Sequence, residues 1–160
     1  MKLEEGITKL QKPLQGIFWP ALLGLGFILL IGSKQVAQKD TLLHFDRSVF
    51  PVQAANWLEE HPQTGQMFNE FNWGGYLLYR LWPEQRVFLD SQTDFYGEAL
   101  VREYEQAITA SAGWENVLSH YNVSWVILPQ EARLIGTLQD RADWEMIYKD
   151  ETAIIMRKSP

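Results

Sequence analysis

Val123-Ser124-Trp125-Val126-Ile127-Leu128 is an apolar run closed by Pro129, and its composition predicts a buried strand. A second such run, Arg86-Val87-Phe88-Leu89-Asp90, has three apolar residues and ends in a carboxylate. A third strand is predicted over residues 66–71. Because helix-forming stretches separate these three runs, the pattern favours parallel crossovers and helices on both faces of one sheet.

Five stretches around these strands predict helices, over residues 51–61, 73–82, 98–109, 114–121 and 131–141. The last part of the chain alternates apolar and polar residues on both sides of the four-residue turn 149–152, which is typical of a hairpin. The element order therefore predicts an α/β fold over residues 50–160. We expect a single three-layer domain with a mainly parallel sheet and a C-terminal antiparallel hairpin.

The N-terminal part contains a run of 21 uncharged residues, 13–33. A bilayer core of about 30 Å needs about 20 apolar residues in a helix, so the run predicts one transmembrane helix. Residues 1–12 would then be a short N-terminus and residues 34–49 a linker. Two alternatives stay open. The first, a buried helix of a soluble domain, is disfavoured because the run has no polar face. The second, a cleaved signal peptide, is disfavoured because Gln35 lies two residues before Ala37, where an A-x-A cleavage site has a small residue.

Charge is divided unevenly along the chain. Residues 1–39 carry a net charge of +3 and residues 40–160 a net charge of −9. Three lysines precede the apolar run, which favours a cytoplasmic N-terminus and an extracytoplasmic C-terminal domain in the cell membrane. The acidic C-terminal part argues against nucleic-acid binding. The sequence has no cysteine, which excludes disulfides and thiolate metal sites.

The carboxyl ends of parallel strands are where ligands gather in such sheets. The loops after the first two predicted strands, residues 69–75 and 90–97, should be neighbours if their strands pair. They would place five side chains on one substrate-binding rim: Asn72, Trp73, Asp90, Asp94 and Tyr96. The two carboxylates could bind a divalent ion or orient a sugar hydroxyl, and the two aromatic rings could cover a ring-shaped ligand.

A purely structural interpretation of this rim is also open. Asp94 could cap the helix that follows it, and Asp90 could hold its own loop by accepting backbone N–H groups. Gly74 and Gly75 could let a helix N-terminus approach the sheet. The sequence contains no phosphate-binding glycine loop, no G-x-S-x-G and no H-E-x-x-H, so no cofactor, metal or catalytic residue is predicted.

The order of motifs resembles a known family. Its pattern is Phe68-Asn69-Glu70-Phe71-Asn72-Trp73-Gly74-Gly75-Tyr76-Leu77, then Val87-Phe88-Leu89-Asp90 and Asp94-Phe95-Tyr96-Gly97, then 121–128 and the hairpin 144–156. These motifs resemble the C-terminal extracytoplasmic domain of polytopic bacterial membrane proteins similar to C-type, lipid-linked-sugar glycosyltransferases. The resemblance covers about residues 50–157. The family often has Arg at the place of Gln92, which puts a charged role for this loop in doubt.

The resemblance implies that the last membrane helix is followed by an extracytoplasmic α/β domain. The many membrane helices and the acidic first-loop residues that carry glycosyl transfer in the family have no counterpart here, which implies that this chain alone does not catalyse the transfer. The first hypothesis is therefore a membrane-anchored domain that supports a glycosyltransferase or recognises its substrate. Its partners would be the lipid bilayer, a polytopic membrane protein and a carbohydrate or peptide acceptor.

Two alternatives from other classes remain at this point. One is an enzyme that handles a sugar or metal with the Asp90 and Asp94 loop. The other is a structural domain that packs on a membrane partner.

Overall fold

Four strands form one mixed sheet within residues 45–159, which are the residues that the computed structural model describes. The sheet order is β1-β2-β4-β3, with β1 parallel to β2 and the other two pairs antiparallel. The α/β class and the C-terminal hairpin are confirmed, but the prediction of a mainly parallel sheet is wrong. The strands are β1 (Gln66–Asn69), β2 (Val123–Pro129), β3 (Trp144–Lys149) and β4 (Ala153–Lys158).

Five α-helices and one 3-10 helix lie between these strands in the described part of the chain. Their positions agree with the predicted helices, except that the third begins earlier. Its first turn, before Gly97, is separated from the rest by a kink in which Gly97 has φ 76° and ψ 158°. The helices are α1 (Val52–Glu60), the 3-10 helix (Phe71–Trp73), α2 (Gly74–Leu81), α3 (Thr93–Ile108), α4 (Trp114–His120) and α5 (Arg133–Gln139).

Both faces of the sheet are covered, so the predicted three layers are confirmed. On one face Trp125 and Ile127 of β2 pack with helices α1 and α2. On the other face Val126 and Leu128 pack with helices α3, α4 and α5. Successive side chains of a strand point to opposite faces, so a central strand buried on both sides must be apolar at almost every position. This is why the run 123–128 was recognisable from composition.

The run Arg86–Asp90, which was predicted to be a strand, has no strand partner. Its backbone is instead hydrogen-bonded to the side chain of Asn69, the last residue of β1. The Phe88 N–H donates to Asn69 Oδ1 (2.8 Å), and Asn69 Nδ2 donates to the Leu89 carbonyl (2.9 Å). The segment therefore reaches the core, where Phe88 and Leu89 are buried, without extending the sheet. Losing this strand leaves one parallel pair and makes the sheet mixed.

No helix among residues 45–159 is long and apolar enough to span a membrane. The predicted transmembrane segment 13–33 and the N-terminal residues 1–12 lie outside the described residues. Only the end of the predicted linker, residues 45–49, is described. Phe45 packs against the rings of Phe50 and Tyr76, with centroids 5.3 and 4.6 Å apart, so this end of the linker is part of the folded domain.

Helix α2 begins at a close approach between Gly74 and the Leu89–Asp90 backbone. A Cβ atom on Gly74 would lie 2.6 Å from Asp90 Cα and would overlap the Leu89 carbonyl oxygen. A Cβ on the neighbouring Gly75 would meet nothing within 4 Å. The two adjacent glycines thus have different roles, and only Gly74 is required by packing.

Substitution of these glycines gives a matched pair. Gly74→Ala should destabilise the domain by about 1–3 kcal/mol, because the new methyl group overpacks against backbone that cannot move aside easily. Gly75→Ala should be neutral or stabilising by up to about 1 kcal/mol, because alanine has the higher helix propensity. Guanidinium unfolding followed by tryptophan fluorescence measures both. Equal stability of the two variants would contradict the close approach.

Removal of the Asn69 side-chain amide should destabilise the domain. Asn69→Ala leaves the buried Phe88 N–H and Leu89 carbonyl without partners, so the free energy of unfolding should fall by about 2–4 kcal/mol. The control is Asn116→Ala, since Asn116 is exposed and its side chain makes no hydrogen bond within residues 45–159. A loss in Asn69→Ala no larger than in this control, in the same unfolding experiment, would contradict the role given to Asn69.

Candidate functional site

The carboxyl ends of β1 and β2 open into a pocket of about 370 Å³. This is the edge of an α/β sheet at which ligands usually bind. We call it the carboxyl-edge pocket, and its lining residues are Ser48, Val49, Glu70, Asn72, Trp73, Pro129, Glu131, Glu151 and Thr152. Two of the five predicted rim residues, Asn72 and Trp73, therefore lie at this pocket.

Three carboxylates give the carboxyl-edge pocket an acidic lining. Glu70 follows β1 and holds the 3-10 helix, because its carboxylate accepts the Asn72 Nδ2 group (2.9 Å) and the Trp73 N–H (3.0 Å). Glu131 and Glu151 are exposed and make no hydrogen bond or ion pair within the described residues. Two acceptor groups are thus free to meet a ligand, whereas Glu70 is already engaged.

Trp73 is a buried residue of this edge. Its side chain belongs to the core cluster beneath α1 and α2, and the residue is 5% exposed. The indole Nε1–H donates to the Val49 carbonyl (2.8 Å), which fastens residues 45–50 to the start of α2. Its ring faces are therefore packed against protein, and its contribution to the pocket is to hold the neighbouring backbone.

Asp90 and Tyr96 form a pair beside the start of α2, and neither lines the carboxyl-edge pocket. Asp90 is 7% exposed, and its Oδ1 accepts the Gln92 N–H (2.9 Å), which holds the loop as the structural interpretation expects. Burial raises the pKa of the Tyr96 phenol, and the neighbouring Asp90 carboxylate raises that pKa further. The loops after residues 69 and 89 are neighbours even though no strand pairing joins them.

Asp94 lies in the exposed first turn of α3. The residue before that helix is Gln92, and no side chain caps the helix start, so Asp94 is not the predicted cap. Its negative charge still lies at a helix N-terminus, where it is favourable. Within residues 45–159, no group of three or more His, Asp or Glu side chains is placed to hold a metal ion.

The acidic residues of the pocket were missed at the sequence level. Glu131 comes two residues after the end of β2, so the strand-end argument that selected Asn72 also applies to it. Glu151 had no such signal, because it lies in the β3–β4 turn. Asp150 shapes that turn by accepting the Thr152 and Ala153 N–H groups (both 2.7 Å). The hairpin brings Glu151 to the pocket only through tertiary pairing.

Comparison with known proteins gives a similarity of fold. No protein-family model matches the sequence, and no curated protein matches it. By structure, the chain is similar to the C-terminal globular domain of an oligosaccharyltransferase from Archaeoglobus fulgidus, with a TM-score of 0.53. The similarity covers 68% of this chain and 96% of that domain. Since only 11% of the residues are identical, the similarity shows a shared fold.

The pairing of Asp90 with Tyr96 can be tested by titration. Asp90→Asn should lower the Tyr96 pKa because it removes a negative charge beside the phenol, although burial should keep the pKa above its ordinary value. The measurement is an NMR titration of ring-labelled tyrosines in alkaline solution. Asp143→Asn is the control and should leave the Tyr96 resonance unaffected. An unchanged Tyr96 pKa in Asp90→Asn would contradict the pairing.

Proposed function

We propose that residues 45–159 form a non-catalytic, extracytoplasmic domain that recognises the substrate of a membrane glycosyltransferase. The carboxyl-edge pocket is the observation that carries the proposal, because it offers free carboxylates at the sheet edge where ligands bind. The shared fold with an oligosaccharyltransferase domain and the motif resemblance support the same assignment. In this proposal residues 13–33 anchor the chain in the cell membrane as a single span.

The chemistry of the pocket favours a ligand rich in hydroxyl donors. Glu131 and Glu151 supply acceptor oxygens, and hydrogen bonds from a sugar or peptide hydroxyl to a carboxylate are stronger than neutral ones. The Asn72 side chain is oriented by Glu70, and its Oδ1 has no partner within residues 45–159. A phosphate would be repelled by the three carboxylates. A carbohydrate or peptide acceptor with free hydroxyl groups is therefore the proposed ligand.

The five predicted rim residues have different roles in this proposal. Asn72 contacts the ligand, and Trp73 supports it from the core. Asp90 lies against Gly74 at the start of α2, and with Tyr96 it would extend the binding surface for a longer acceptor. Asp94, in the exposed first turn of α3, would lie at the outer end of that surface. The proposed partner is a polytopic membrane glycosyltransferase that lies in the same bilayer.

The test is ligand binding by the full chain in nanodiscs. A panel of acceptor oligosaccharides and serine- or threonine-containing peptides is titrated, with calorimetry as the measurement. Glu131→Gln combined with Glu151→Gln should weaken binding of the best ligand about tenfold, since two charged acceptors are lost. Glu60→Gln combined with Glu84→Gln is the control, because it removes the same charge at two exposed sites outside the pocket.

Three outcomes would contradict the proposal. The first is no binding of any acceptor by the wild-type chain. The second is an equal loss in both double variants, which would indicate an effect of net charge. The third is turnover of a sugar donor by the purified chain that Asp90→Asn abolishes, which would favour the alternative of an enzyme.

A further inference from the structure

A second polar cleft lies at the opposite end of the sheet from the carboxyl-edge pocket. It has a volume of about 300 Å³ and lies between α4, the turn after α5 and the end of β4. We call it the amino-edge cleft, because β2 begins at this end of the sheet. Its lining residues are Trp114, Glu115, Asn116, Leu118, Ser119, Arg141, Asp143, Trp144 and Lys158. It shares no residue with the carboxyl-edge pocket.

Arg141 organises the carboxylates of the amino-edge cleft. Its Nη1 donates to Glu115 Oε1 (2.7 Å), and its Nε donates to Asp143 Oδ1 (3.2 Å). The second oxygen of each carboxylate, Glu115 Oε2 and Asp143 Oδ2, has no hydrogen-bond donor within the described residues. The guanidinium thus holds two acceptors in fixed positions at the cleft and leaves one oxygen of each for a ligand.

Three further polar side chains line the cleft without a partner in residues 45–159. They are Asn116, Ser119 and Lys158, all of them exposed. An ion-pair cluster that only joined α4 to the α5–β3 turn would need Arg141 and its two carboxylates. It would not need an amide, a hydroxyl and an ammonium group around the same space. The cleft therefore contains more polar groups than its structural role requires.

The formal net charge of the amino-edge cleft indicates which class of ligand it could bind. Arg141 and Lys158 balance Glu115 and Asp143, so the formal net charge of the lining is zero. A phosphate or nucleic acid would need an excess of cations, and a cationic ligand would need an excess of carboxylates. A neutral molecule with many hydroxyl groups matches a lining that offers both donors and acceptors in close alternation.

The apolar part of the lining fits the same class. The half-buried Trp114 is the aromatic side chain that can offer a ring face to the cleft. Trp144, which is 8% exposed, and the buried Leu118 belong to the core and form the floor beneath it. Small-molecule sites combine aromatic surface with a few placed polar groups. The C–H faces of a pyranose ring pack on aromatic side chains while its hydroxyl groups reach polar neighbours. We infer that the amino-edge cleft is a second binding site of this domain, with a neutral saccharide as its ligand.

The experiment uses the full chain in detergent micelles and three neutral probes: methyl α-mannopyranoside, methyl β-glucopyranoside and N-acetylglucosamine. Saturation-transfer difference NMR measures binding of each probe. At least one should bind, and Asn116→Ala and Lys158→Ala should each weaken it about tenfold, because each removes a hydrogen-bonding group of the cleft. The matched controls are Gln139→Ala and Lys149→Ala, which change exposed residues outside the cleft and should leave binding unchanged.

Other results would overturn the inference. They include no binding of any of the three probes, and displacement of a bound probe by inorganic phosphate or sulfate. Binding that survives in Asn116→Ala and Lys158→Ala but is lost when Glu131 and Glu151 are changed to Gln would place the saccharide at the carboxyl-edge pocket. That last result would contradict the second site and leave the proposed function standing.

Discussion

One buried side chain, the amide of Asn69, determines how the residues after β1 are arranged. It is fully buried and exchanges two hydrogen bonds with the backbone of Phe88 and Leu89, 19 and 20 residues further along the chain. A buried backbone group without a partner is costly, so this amide replaces the ladder that a neighbouring strand would have supplied. Phe88 and Leu89 can then enter the core, and Asp90 is set against Gly74 at the start of α2.

The same constraint explains which part of the fold the sequence could predict. Strand β2, the hairpin β3–β4 and the two-sided packing follow from composition and alternation, because those elements are stabilised by neighbours of the same kind. Residues 86–90 have the composition of a strand but not its hydrogen bonds. An apolar composition predicts that a segment is buried, but it does not predict whether the hydrogen-bond partner of its backbone is another strand or a side chain. The prediction of a mainly parallel sheet was wrong because residues 86–90 were counted as a strand.

The residues of the candidate site also differ in how far the sequence could predict them. The rule that ligands bind at the carboxyl ends of parallel strands predicted the edge at which the carboxyl-edge pocket lies. Asn72 was predicted in this way because it comes shortly after the end of β1. Trp73 was expected to offer a ring face, whereas the indole is packed in the core and donates to Val49. Glu151 reaches the pocket from a hairpin turn about 80 residues after β1. Such a residue is placed by sheet pairing, for which a single sequence contains no local signal.

A side chain, and not a neighbouring strand, supplies the hydrogen-bond partners of the Phe88 N–H and the Leu89 carbonyl. Hydrogen–deuterium exchange of the Phe88 amide, measured by NMR on the full chain, tests it most directly. We expect this amide to exchange as slowly as the amides of β1, although it belongs to no strand. Exchange as fast as that of the amide of the exposed Arg86 would show that the Asn69 hydrogen bond does not hold the segment in solution, and would contradict the role given to Asn69.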